Sequence, residues 1–242
     1  MRINRIYHNT SLQSGQRIDL DERASHHLAK VLRQQPGDSL ILFNGDGRQY
    51  PAEITAIDKK RVTVLIGEPQ VPLTESPLAI HLGIAISKGD RLEWVLQKAT
   101  ELGATAITPL FSERTEFKLK GERLEKKLQH WQQIIVSACE QCGRNSLPQL
   151  HSPQSAMQWS ESVQADRKLV LHHRSDGSLD PADTVHSTAL LIGPEGGLSE
   201  LEIQHAERNG FQPLTLGPRV LRTETAPLAA IAVLQSLWGD FR

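Results

Sequence analysis

Only two cysteines, Cys139 and Cys142, occur in 242 residues, so no disulfide framework stabilises this chain. No apolar run approaches the length of a membrane span, and no N-terminal stretch joins a charged start to a continuous apolar core. The sequence therefore lacks a bilayer helix and a signal peptide, and the expectation is a cytoplasmic protein with no membrane partner. An excess of charge is missing too: 27 Lys and Arg face 28 Asp and Glu, a formal net charge of -1. Nothing global draws such a chain to nucleic acid, so any RNA contact has to come from local patches and a second subunit. Internal repeats and low-complexity tracts are also absent.

Proline is concentrated in one seam, Glu68-Pro69-Gln70-Val71-Pro72-Leu73-Thr74-Glu75-Ser76-Pro77, which holds three prolines. Such a stretch suits neither a helix interior nor a central strand and reads as a linker. Before it, Ser39–Phe43, Tyr50–Ile57 and 61–66 look like short strands, with Asn44-Gly45-Asp46-Gly47 turning between the first two. Residues 25–33 are the one helical stretch there. The expected organisation is a small β domain over 1–70, a linker over 71–77 and a larger domain over 78–242.

After the seam, strand and helix patterns alternate, which is the mark of an α/β fold with a parallel sheet. Candidate strands are 79–86, Ala106–Phe111, 169–172, 189–192 and 212–216. Asp90 and Glu93 have the spacing of a helix N-cap and its N3 partner, Leu92, Val95, Leu96, Ala99 and Leu102 form the apolar stripe, and Gly103 closes the helix. Ser199 and Glu202 make a second such pair, closed by Gly210. Leu124, Leu128, Trp131, Ile134, Ile135 and Ala138 stripe a longer helix, and Pro227 stands in the first turn of the last one, where its missing N–H costs little.

Two runs carry most of the functional signal: Ile192-Gly193-Pro194-Glu195-Gly196-Gly197 and Leu216-Gly217-Pro218-Arg219-Val220-Leu221-Arg222-Thr223-Glu224-Thr225-Ala226. Each follows a strand and leads into a helix, which places both at the carboxyl edge of the sheet, where α/β folds bind ligands. Glycine there lets a ligand approach the backbone. The first run matches neither the dinucleotide nor the P-loop phosphate pattern, and Glu195 puts negative charge where a phosphate needs positive. A cationic or zwitterionic ligand, such as the sulfonium S-adenosylmethionine, suits it better. The competing reading is a pair of structural turns, each with a helix start.

Together with Ser87-Lys88-Gly89-Asp90-Arg91, Gln97-Lys98-Ala99-Thr100-Glu101-Leu102-Gly103 and Cys139-Glu140-Gln141-Cys142-Gly143-Arg144-Asn145, these runs closely resemble the RsmE family of bacterial 16S rRNA (uracil-N3)-methyltransferases, of the SPOUT superfamily. The resemblance extends from Arg2 to Leu234. It implies a C-terminal parallel sheet with a deep trefoil knot, a small N-terminal PUA-like β-barrel that binds RNA, S-adenosylmethionine as cofactor, and a homodimer acting on 16S rRNA in the small ribosomal subunit. It places the cofactor against Leu171 and His172, then Ile192, Gly193 and Gly196, then Leu216, Gly217 and Leu221. Leucines and glycines suit adenine, which needs a flat apolar slot and backbone partners for its edge.

Methyl transfer to uracil N3 requires loss of a weakly acidic proton and stabilisation of the charge left on the ring. Arg222 and Glu224, directly after the cofactor loop, are the candidates for these catalytic roles; a charge-paired Arg beside a helix-capping Thr-Glu pair is the alternative. Arg91, Glu140 and Arg144 are candidates for the active site or RNA, or else members of ordinary surface ion pairs. In the N-terminal module, where 25–37, with His26, His27, Lys30 and Arg33, resembles the family's PUA-like RNA-binding segment, Arg2, Arg5, Arg33 and Arg48 are candidate phosphate contacts. Tyr7 and Phe43 are available for stacking, although Phe43 suits the core better.

No metal is expected. Cys139 and Cys142 form a C-x-x-C at a helix end, where the dipole disfavours a thiolate, and no second Cys or His pair completes a zinc set. His172-His173 reads as a strand end. Among other functions, ribose methylation of tRNA by a different SPOUT enzyme calls for an Asn- and Arg-centred motif early in the domain, which 87–91 does not resemble. An oxidoreductase would need a phosphate fingerprint at the first βα turn, and a non-catalytic assembly factor would not need an intact cofactor loop.

Overall fold

The computed structural model describes residues 3–58, 61–115, 120–171 and 179–241. It resolves into two compact units, one formed by Met1–Glu75 with Cys139–Leu147, the other by Ser76–Ala138 with Pro148–Arg242.

In the first unit, strands β1 (Asn4–Tyr7), β2 (Arg17–Asp19), β3 (Ser39–Phe43), β4 (Tyr50–Ile57) and β5 (Val62–Ile66) form one sheet in the order β1-β3-β4-β5-β2. The sheet is mixed: β1 runs parallel to β3, and the remaining pairs are antiparallel. Leu40, Leu42, Ile54, Val62 and Val64 are buried together with Leu28, so alternation along the strands supplies one core face. The helical stretch starts earlier than residue 25. Asp21 caps α1 (Glu22–His26) by accepting the Ala24 N–H at 2.7 Å, and the helix passes into a π turn over His27–Val31. Arg33 follows with φ +54, the one non-glycine in left-handed backbone among the described residues. The proline-bearing seam begins as structure, because Gln70, just before the linker over 71–77, bridges antiparallel to Gln49.

The second unit holds β6 (Ala79–Ala85), β7 (Ala106–Phe111), β8 (Gln149–Leu150), β9 (Gln154–Ser155), β10 (Arg167–Leu171), β11 (Ser187–Ile192) and β12 (Phe211–Leu214). They form a seven-stranded sheet in the order β12-β10-β11-β6-β7-β8, with β9 also on β7, and every pairing is parallel. The chain order reverses between β11 and β6, which makes the carboxyl end of that pair the topological switch point.

The helices are α2 (Arg91–Glu101), α3 (Glu122–Cys142), α4 (Ala156–Ser162), α5 (Glu200–Arg208) and α6 (Thr225–Trp238). Ser199 and Glu202 form the expected reciprocal capping box on α5. The expected box on α2 does not form. Asp90 stands at the N-cap without a side-chain capping bond, and Glu93 instead accepts from Lys127 at 2.9 Å and pairs with His130 at 3.0 Å. Two longer-range partners outcompete a local bond that the spacing alone suggests. Pro227 lies in the first turn of α6, as its sequence position requires.

Trp159 of α4 anchors one core cluster, with Val170, Ala189, Leu191 and Phe211 around it. Gly83 on β6 makes room for it, since a Cβ there would lie 2.6 Å from the indole ring. On the same side, His81 hydrogen bonds Thr108 at 2.8 Å, receives the Trp159 indole N–H at 3.4 Å and stacks on His151. Burial, helped by His151, pulls its pKa down to about 4.

Candidate active site

The carboxyl ends of β10, β11 and β12 each stop at an apolar residue, Leu171, Ile192 and Leu214, and the chain beyond them turns over a common space. That space is a cavity of about 270 Å³. Leu171, Ile192, Gly193, Gly196, Leu216, Gly217 and Leu221 all line it, joined by Pro194, Glu195, Gly197, Leu198, Thr215, Arg219, Val220, Thr223 and Ala226. His172 lies outside the described residues.

The backbone explains why glycine stands at the turn positions. At Gly193 a Cβ would sit 2.8 Å from the Leu198 nitrogen and 3.1 Å from the Gly197 carbonyl carbon, so backbone would have to shift. Gly197 and Gly217 take φ of +71 and +74, which side-chain-bearing residues rarely adopt. The Gly197 N–H closes the first turn on the Pro194 carbonyl at 2.8 Å. Val220, 82% exposed, projects from the second turn at the rim.

Glu195 is not a free carboxylate. Its Oε1 accepts from Arg91 at 2.5 Å and from the Lys88 N–H at 3.3 Å. Partial burial pushes its pKa up, but its own backbone N–H, Arg91 and the Lys88 N–H outweigh that and hold it below the usual carboxylate range. The negative charge that sequence reading offers to a cationic ligand is thus largely matched within the protein. Arg91 also approaches Glu224, Nε to Oε2, at 3.8 Å.

Arg222 is exposed and outside the cavity lining, while its carbonyl accepts the N–H groups of Thr225 and Ala226 at 2.9 Å and starts α6. Glu224, with its side chain 23% exposed, occupies the α6 N-cap position without a side-chain capping bond. The helix-capping alternative is therefore not what its carboxylate does.

The N-terminal arginines divide. Arg5 donates to Gln49 at 3.0 Å and to the Asn145 side chain, and its guanidinium lies 5.1 Å from the centre of the buried Phe43 ring. Arg144 is 5% exposed and closes on Glu75 at 2.6 Å through Nη2, with Nε also donating. These two guanidiniums hold the first unit together rather than standing open to a polyanion. Glu140 accepts the Tyr7 N–H at 3.0 Å and lies 3.5 Å from Arg23. Arg33 and Arg48 are exposed, and Arg2 lies outside the described residues.

Cys139 is buried and Cys142 exposed, neither in a disulfide, and burial lifts the Cys139 pKa to about 12. Among the described residues no cluster of three metal-ligating side chains occurs, and no helix is long and apolar enough to cross a membrane.

Sequence reading passed over Arg114, which donates to the Gly196 carbonyl at 2.6 Å. It stands just beyond β7, at the same carboxyl edge as the glycine turns, and that position is the signal by which it is found.

A seven-stranded parallel sheet with a backbone-lined cavity at the carboxyl ends of β10, β11 and β12, together with a small mixed-sheet module, is an architecture that the family models identify as that of an RNA methyltransferase. The RNA methyltransferase domain model matches residues 74–235 and the RNA methyltransferase PUA domain model matches residues 20–67. The ribosomal RNA small subunit methyltransferase E of Buchnera aphidicola subsp. Schizaphis graminum is 40% identical over 241 residues, covering 99% of this chain and 98% of that one. The Bacillus subtilis protein of the same name is 35% identical, with 86% of each chain covered. A Legionella pneumophila methyltransferase solved with bound S-adenosylmethionine superimposes with a TM-score of 0.94 at 44% identity, and the Neisseria gonorrhoeae ribosomal RNA small subunit methyltransferase E, solved with the same molecule, with 0.91 at 40%; each comparison covers 100% of both chains. The chain belongs to the ribosomal RNA small subunit methyltransferase E family.

Proposed function

We propose that this protein methylates N3 of a uridine in the 16S rRNA of the small ribosomal subunit, with S-adenosylmethionine as donor, as a cytoplasmic homodimer. One observation carries the cofactor assignment. Seven positions drawn from three separate stretches of chain, Leu171, Ile192, Gly193, Gly196, Leu216, Gly217 and Leu221, converge on a single apolar, backbone-lined cavity. Its leucine walls suit an adenine face, and the glycine turns offer main-chain groups to its edge. When bound, S-adenosylmethionine supplies a methyl group on a positively charged sulfur.

The residues around it divide the remaining work. Glu224 takes the N3 proton, and Arg222 stabilises the charge left on the uracil oxygens. Residues 1–70 serve as the RNA-binding module, with Arg2, Arg33 and Arg48 towards phosphate; 71–77 link it to the knotted methyltransferase domain over 78–242. Exposure favours Arg33 and Arg48 over Arg5 of that module and over Arg144, whose guanidiniums are committed inside the first unit.

The test is methyl transfer from labelled S-adenosylmethionine to small ribosomal subunits from cells lacking the activity, followed by mass spectrometry of the digested nucleosides. Formation of 3-methyluridine is expected. Cofactor binding without 3-methyluridine on intact subunits would reject the target. Glu224→Gln and Arg222→Ala are each expected to slow turnover by about a hundredfold, within the range for a lost acid-base or charge-stabilising group. Near-normal turnover in both would remove these roles.

A further inference from the structure

A capping box needs one side-chain oxygen at its third helical position to accept the N-cap N–H, so glutamine serves there as well as glutamate. On α5 that position holds Glu202, which is 6% exposed, and both of its oxygens are used. Oε2 accepts the Ser199 N–H at 2.8 Å, as the cap requires, while Oε1 accepts the Glu113 N–H at 2.9 Å from 89 residues away in the chain. A glutamine that kept the cap would turn its NH2 group towards the Glu113 N–H. The second oxygen is what the carboxylate adds.

The bond to Glu113 spans the sheet edge. Strand β6 lies between β7 and β11, so the turn after β7 meets the glycine turn after β11 only by crossing the carboxyl end of β6. That turn is closed on itself: the Ser112 N–H donates to Thr115 Oγ1 at 3.0 Å, and the Thr115 N–H to the Ser112 carbonyl at 3.0 Å. Fastened at Glu113, it carries Arg114, whose guanidinium donates to the Gly196 carbonyl at 2.6 Å and whose Cδ would stand 3.4 Å from a Cβ at Gly196. Gly196 lines the cofactor cavity, whereas Glu202 and Arg114 do not. A carboxylate outside the cavity is thus linked, through one turn of chain, to a residue of its wall.

We propose that Glu202 is a positioning residue for S-adenosylmethionine binding and acts through Arg114. The bond to Glu113 fixes the turn after β7, Arg114 then holds the Gly196 carbonyl, and the first glycine turn keeps the shape that receives the cofactor. The role rests on the assignment of S-adenosylmethionine to that cavity.

The experiment is calorimetry of S-adenosylmethionine binding to the full chain, with the thermal midpoint followed beside it. Glu202→Gln and Arg114→Ala are each expected to bind about fivefold to tenfold more weakly, the scale of one lost hydrogen bond. Arg114→Lys keeps a donor and is expected to stay within about twofold of the wild type. Because both residues act on one carbonyl, the double variant Glu202→Gln/Arg114→Ala is expected to bind no worse than the weaker single variant. Ser199→Ala takes the hydroxyl from the cap but leaves both carboxylate bonds, so it is expected to lower the midpoint and keep the affinity. Wild-type affinity in folded Glu202→Gln or Arg114→Ala protein would overturn the role, as would losses that multiply in the double variant. A loss in Ser199→Ala equal to that in Glu202→Gln would also overturn it, since the cap alone would then account for the effect. A wild type that binds no S-adenosylmethionine would overturn the cofactor assignment and this role with it.

Discussion

Gly193 shows how a single missing atom shapes the cavity. A methyl group there would press on the Leu198 nitrogen and the Gly197 carbonyl carbon, both backbone, so the turn rather than a side chain must move. Gly193→Ala is therefore expected to weaken S-adenosylmethionine binding at least about tenfold by calorimetry. Normal affinity would show that the turn yields. His81 makes a different kind of prediction. Its folded pKa of about 4 lies below the ordinary 6.5, so the unfolded chain takes up a proton that the folded one refuses. The resulting stability is fully present above 6.5 and drains away as pH falls towards 4. His81→Asn should flatten the dependence of the thermal midpoint on pH across that window, and an unchanged slope would reject the assignment. Arg144→Ala leaves Glu75 without its partner. Because the Glu75 side chain is still 33% exposed, the cost is expected near 2 kcal/mol in denaturant titration, below the 3–5 kcal/mol of a fully buried pair. Glycine turns leave a local signature: Gly193, Gly196 and Gly217 stand in two Gly/Pro runs legible in the sequence, and both runs line one cavity. Charges leave none: Arg5 meets an asparagine 140 residues away, and Arg144 a glutamate 69 away, so neither commitment is visible before folding.

Trp159 sets the scale for elements. It holds α4 against β6, where only glycine fits at position 83, and packs 5.8 Å from Phe211 of β12. Trp159→Ala is expected to cost about 3–5 kcal/mol, read from urea unfolding, with the indole N–H to His81 lost as well. A loss under 1 kcal/mol would mean that the cluster collapses to fill the space. Long apolar strands such as β6, β7 and β11 are legible because burial on both faces of a parallel sheet demands continuous hydrophobic runs. β8 and β9 are two residues each and borrow their hydrogen bonds from β7, so no local pattern marks them. β1 is equally short of signal: its partner β3 lies over thirty residues on, parallel to it. The π turn after α1 also escapes a 3.6-residue count, since an extra residue in the turn disturbs the stripe.

At the scale of the molecule, a formal charge of -1 means that affinity for RNA has to come from local patches rather than from the surface as a whole. The proposed homodimer is tested by sedimentation, which should give about twice 26.9 kDa at concentrations where the enzyme turns over; a monomer there would remove it. The proline seam at 68–77 is plain in the sequence, but the return of residues 139–147 to the first unit is not. That discontinuity bears on how the protein is made. A domain that ended at the seam could fold as soon as it left the ribosome, whereas this one still lacks Glu140, Arg144 and Asn145, the partners of Tyr7, Glu75 and Arg5. The first unit is born first and finished late: its N-terminal stretch has to wait, incomplete, until about seventy further residues have been synthesised. A fragment covering 1–75 should accordingly show no cooperative melting, and adding a peptide of 139–147 in trans is the arrangement that would complete it.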